Sequence, residues 1–197
     1  MFDPVPVLPV VLPLGAAVLG GLLWLLHRRG RLSWPRIVVA LALAVYVAGV
    51  VANTVFPIYR DKPTAGGPWA DHLALVPLVD YEVADAVMNV LVFVPVGVLV
   101  PLVIAGTSWG SAVVAAGALS LTIEVTQWAT AHLLGGGHIA DVNDLIFNVI
   151  GGVVGVALIA SAEHVPAIGR VVDQVRWRGA RADGSDVLVG QHPAPGS

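Results

Sequence analysis

Apolar residues in this chain come in long unbroken blocks. No Asp, Glu, Lys or Arg occurs in residues 4–26, 37–59, 86–123, 125–140 or 145–162. A hydrocarbon layer of about 30 Å needs roughly 20 apolar residues of a helix that rises about 1.5 Å per residue. The pattern therefore predicts five spans, near Val5–Leu26, Ile37–Phe56, Val87–Ile104, Ser111–Trp128 and Leu145–Ala162. Membrane strands would be shorter and would alternate apolar with polar positions. The expected fold class is all-α, a polytopic transmembrane bundle of about five helices. Pro4, Pro6, Pro9 and Pro13 crowd the start of the first span, which predicts a kinked or late-starting helix there.

Composition narrows the function classes. Hydrophobic residues make up 57% of the 197 residues and charged ones only 12%, against about 25% charged in soluble domains. Mean hydropathy is +0.85. A soluble enzyme and a secreted disulfide scaffold are poor fits. A net charge of −3 without a basic stripe argues against a nucleic-acid partner. The absence of Cys excludes thiolate metal sites and a cysteine nucleophile. The first apolar run is longer than a signal-peptide core, and its basic cluster follows it, so it reads as a retained helix. Residues 1–164 form one transmembrane domain, and residues 165–197 form a juxtamembrane tail. In that tail Ile168, Val171, Val172 and Val175 follow helical spacing beside arginines, as in an interfacial helix. Disorder is expected beyond Gly179.

Basic residues set the expected orientation. Arg28, Arg29, Arg31 and Arg36 lie between the first two spans, and Arg170, Arg176, Arg178 and Arg181 follow the fifth. Five spans put both groups on one side, leaving only Arg60 and Lys62 on the other. The amino terminus is expected outside and the carboxyl tail in the cytoplasm. In the outer loop 57–85, the apolar piece His72–Val79 is expected at the interface or dipping inward. Asp80 is expected to cap the third span, with Glu82 and Asp85 in its first turn.

Polar side chains within apolar spans mark bundle interiors or watery cavities. Glu124 is the sole Asp, Glu, Lys or Arg between Asp85 and Asp141, and Ser120, Glu124 and Gln127 share one helical face. Asp141, Asp144 and Asn148 form a second stripe, continued by Gly151, Gly152 and Gly155, whose small side chains allow close helix approach. Asp85, Asn89, Phe93 and Gly97 form a third, at steps of four. Pro95 and Pro101 would free carbonyls at Leu91 and Gly97. The plainer reading makes Asn89, Asn53 and Glu124 hydrogen-bonding links between helices, with Asp141 or Asn143 a helix cap. The alternating direction of the spans favours more than that. It brings Asn53, Asn89, Glu124, Gln127, Asp141, Asp144 and Asn148 from four helices to one depth. The inference is an extracytoplasmic polar pocket, rimmed by His132 and by His138 of a GGGH loop.

Three ordered motifs resemble the VanZ-like family of bacterial membrane proteins. They are DAVMNVLVFVPVGVLVP, SLTIEVTQ and HIADVNDLIFNVIGGVVG, the core being residues 85–156, with LALVPLV ahead of them. The resemblance implies ligand-binding positions at Asn89, Glu124, Gln127, Asp141, Asp144 and Asn148. The family commonly has an arginine where this chain has His138, and a histidine grips an anion only when protonated. The resemblance further implies the bacterial plasma membrane and a role at the cell envelope linked to teicoplanin resistance, without supplying a reaction.

Three functions could use such a pocket. A non-enzymatic envelope factor would bind a lipid-linked wall precursor, a lipid head group or the glycopeptide at the pocket, and it needs only polar groups at the outer leaflet. A membrane-embedded enzyme would use Glu124 as general base, with Asp141 and Asp144 holding a divalent cation. Carboxylates with amide oxygens suit Mg²⁺ or Ca²⁺ better than zinc. No zinc motif, nucleophile elbow or phosphate loop accompanies those acids. A proton-coupled carrier would need polar groups at several depths, and the inner halves of the spans carry almost none.

Overall fold

The computed structural model describes residues 3–60, 68–79, 81–104, 106–134 and 139–177. Six helices follow in order: α1 (Leu8–Arg28), α2 (Trp34–Val55), α3 (Val83–Val103), α4 (Trp109–Leu134), α5 (Val142–Glu163) and α6 (Pro166–Val175). The first five are long and apolar enough to cross a membrane. The fold is the expected all-helical bundle. The tail beyond Gly179 and His138 of the Gly-rich loop lie outside the described residues.

Helix boundaries follow local chemistry. α1 starts late, at Leu8, with a proline in its opening positions and Pro13 inside. It stops where Gly30 takes a φ of +61°. There the Arg31 N–H donates to Leu26 O and the Gly30 N–H to His27 O, a left-handed terminus that glycine adopts at low cost. α3 begins four residues earlier than the apolar run, at Val83. Its N-cap position is therefore Glu82, which makes no side-chain capping bond, and not Asp80, which itself falls outside the described residues. Asp85 sits in the first turn as expected, so the helix extends into the acidic stretch that complements its dipole.

The most extensive pairing is α3 with α5, followed by α4 with α5. Glycine permits both. A Cβ at Gly151 would collide with Val90 O and lie 2.9 Å from Phe93 Cβ, and one at Gly155 would strike Val94 O and lie 2.9 Å from Gly97 Cα. On the other side, a Cβ at Gly152 would lie 2.6 Å from Ala116 Cβ of α4. The small-residue stripe thus lets α5 nest between α3 and α4 with backbones in contact. Phe93, Val96 and Ala116 form the buried centre of this trio.

α1 packs mainly on α2. The tail helix α6 returns to the bundle: Val172 is buried with Leu102 and Ile159. Beyond it Trp177 is buried against Leu26 and Ala40, its backbone N–H donating to Leu102 O at 2.7 Å. Ile168 and Val171 of the same amphipathic helix stay exposed, so the helix docks through one flank only.

Candidate functional site

The close approach of α3 and α5 brings their polar beginnings together. Asn89 precedes the Val90 turn that meets Gly151, and its Nδ2 donates to Asp144 Oδ1 at 2.5 Å. One turn further along α5, Asn148 Nδ2 donates to Ser120 Oγ of α4 at 3.0 Å. Glu124 Oε2 accepts the Asp141 N–H at 2.9 Å. Asp141 caps α5, its Oδ1 accepting the Asn143 N–H at 2.8 Å. Ser120, Glu124, Gln127 and Asn148 are all buried. The polar stripe of α4 therefore faces inward along its length, and the plainer expectation of helix-linking hydrogen bonds is met as well.

Those bonds leave atoms over. Glu124 Oε1, Gln127 Oε1, Asn148 Oδ1 and Tyr46 Oη are buried without a hydrogen-bond partner. Each such atom costs about 1–3 kcal/mol. The four residues that carry them line one cavity of about 660 Å³, which also draws on Asn53 of α2, Asp85 and Asn89 of α3, and Asp144 of α5. It lies at the end of the bundle where α3 and α5 begin and α2 and α4 finish. Among the described residues no Lys, Arg or His lines it.

A second cavity, of about 540 Å³, lies on the far side of Glu124. Its wall is mostly apolar, from Leu73, Leu75, Leu121, Val125, Trp128 and Leu145. Leu121 and Val125 are exposed on the outer surface of α4, the surface that a membrane-spanning helix gives to hydrocarbon. Glu124 lines both cavities.

Most of the sequence-derived site residues meet at the polar cavity: Asn89, Glu124, Gln127, Asp144 and Asn148. Asp141 does not join them; it lines the apolar cavity, turned aside by its capping bond. Asp141 and Asp144 thus serve different cavities. Among the described residues no three His, Cys, Asp or Glu side chains gather as a metal centre would need. His132 also faces the apolar cavity, stacked on Trp128 at 5.8 Å and edge-on to His72 at 6.0 Å.

The sequence left one residue undervalued. Asn143, only 1% exposed, is no cap; its Oδ1 accepts the Leu78 N–H at 2.6 Å and its Nδ2 donates to Val79 O at 3.1 Å. Leu73–Ala74 pairs in parallel with Ala140–Asp141, and Trp128 Nε1 donates to Trp69 O at 3.1 Å. The apolar loop is thereby clamped beside the apolar cavity, which Trp69, Leu73 and Leu75 line.

A family model described as VanZ/LLP1 matches residues 43–163, more than half of the chain. The chain belongs to the VanZ/LLP1 family. No curated protein and no solved structure matches it. The VanZ/LLP1 region contains α3, α4, α5 and the second half of α2, hence every described residue of both cavities, while α1 and α6 lie outside it.

Proposed function

We propose that this multi-pass VanZ-family membrane protein binds a cell-envelope amphiphile, and thereby contributes to glycopeptide resistance of the teicoplanin type. A lipid-linked wall precursor, a lipid head group or the glycopeptide itself would supply the polar part. The observation that carries the reading is the convergence of buried, unpartnered acceptors from three spans on one cavity. A bundle that needed only helix–helix links would have paired them. The adjoining apolar cavity supports an amphiphile, since a chain could lie there while polar groups reach the acceptors. The excess of arginine in the first connection and the tail supports an extracytoplasmic location for the cavity.

The enzymatic alternative keeps Glu124 as base, because its Oε1 has no hydrogen-bond partner and the residue lines the cavity. Turnover of a labelled lipid-linked precursor by purified protein would favour it; binding without turnover favours the envelope factor.

The test is genetic. In a host whose glycopeptide tolerance depends on this protein, Glu124→Gln and Asp144→Asn are expected to abolish tolerance at unchanged membrane abundance. Degradation of both variants would show the polar cluster to be structural and would remove the basis for the pocket.

A further inference from the structure

The acceptors say which kind of head group fits. Glu124 Oε1, Gln127 Oε1 and Asn148 Oδ1 are three oxygens without partners, on residues that are more than nine-tenths buried and line one cavity. Asp85 and Asp144 add carboxylates to the same walls. Oxygen acceptors beside carboxylates repel phosphate and sulfate and favour a group that is positive and rich in N–H donors. A primary ammonium supplies one positive charge and three donors.

A second observation bears on where that ammonium comes from. The apolar cavity shares Glu124 with the polar one and is walled by Leu121 and Val125, which are exposed on the outer surface of a membrane-spanning helix. A ligand that reaches Glu124 from the hydrocarbon side would bring an aliphatic chain with it. We infer that the polar cavity holds the primary ammonium of a membrane amphiphile, with its chain in the apolar cavity. The inference rests on the binding function proposed above and specifies the ligand's charge and donors.

Synthetic lipids separate the possible readings. The full-length protein is purified in detergent and offered equal amounts of phosphatidylethanolamine, phosphatidylcholine and phosphatidylglycerol, and bound lipid is counted by native mass spectrometry. Phosphatidylcholine keeps the positive charge without N–H donors, and phosphatidylglycerol keeps hydroxyl donors without the positive charge. The expected result is a preference for phosphatidylethanolamine of roughly tenfold over each, the value of one charge-assisted hydrogen bond. Glu124→Gln, which keeps the shape, should bring the preference close to parity. The wild-type preference needs no variant, so a poorly folded Glu124→Gln leaves the test intact. Equal binding of phosphatidylcholine, or a preference for phosphatidylglycerol, would overturn the inference. Displacement by free ethanolamine at millimolar concentration would overturn its amphiphile half. Glu124-dependent retention of an uncharged amphiphile would overturn the inference while upholding the binding function; lipid retention identical in wild type and Glu124→Ala would overturn both.

Discussion

Replacing Gly155 by alanine adds a single methyl group where the structure has no room for it. The new Cβ would strike Val94 O of α3 and lie 2.9 Å from Gly97 Cα and 3.0 Å from Val94 C. Carbon contacts are comfortable only from about 3.5 Å, so α3 and α5 must part by roughly 0.5–1 Å. The Asn89–Asp144 bond, 2.5 Å long and two to three turns away, would stretch toward the limit of hydrogen bonding. Overpacking of this kind costs about 1–3 kcal/mol. Alanine also gains about 1 kcal/mol over glycine in a helix interior, which partly hides the effect. Gly20→Ala in α1 supplies the reference, because nothing lies within 4 Å of a Cβ there. Comparing the two alanine variants cancels the propensity gain and isolates the clash. Thermal midpoints in detergent are expected to be lower for Gly155→Ala than for Gly20→Ala by about 2–12 °C, at roughly 2–4 °C per kcal/mol. A Gly155→Ala midpoint equal to or above that of Gly20→Ala would refute the backbone contact between α3 and α5.

Two further outcomes are expected. Asn143→Ala removes both bonds to the Leu78–Val79 segment and should cost about 1–3 kcal/mol; hydrogen exchange at Leu78 should speed up while α2 stays unchanged, and unaltered exchange at Leu78 would contradict the clamp. Cysteine labelling suits a chain without native cysteine: Gly136→Cys should react with an impermeant thiol reagent from outside intact cells and Arg170→Cys only after permeabilisation, and the reverse pattern would invert the orientation.

Much of the fold was legible because charge is scarce. Runs free of Asp, Glu, Lys and Arg located five helices to within a few residues, except that α4 extends to Leu134, past Trp128. The extension carries Thr130 and His132 among apolar residues, and these two interruptions ended the predicted span too soon. The glycine stripe on α5 was readable because small residues at steps of four have few uses in a membrane helix other than close packing. The same periodicity placed Ser120, Glu124 and Gln127 on an inward face. It failed at Asp141, whose carboxylate turns back to cap its own helix. Spacing gives a residue's side of the helix but not the competition between a local backbone donor and a distant cavity. The role of Asn143 depends on a loop some 65 residues earlier in the chain, a pairing that no local pattern encodes.

The central claim is that the cavity at Glu124 holds an amphiphile. The most direct measurement is mass spectrometry of the lipids and precursors that co-purify with wild type and with Glu124→Ala, prepared from the same membranes at matched abundance and thermal midpoint. The account predicts at least one amphiphilic species retained by wild type and lost from the variant. An identical lipid complement on the two proteins would contradict it.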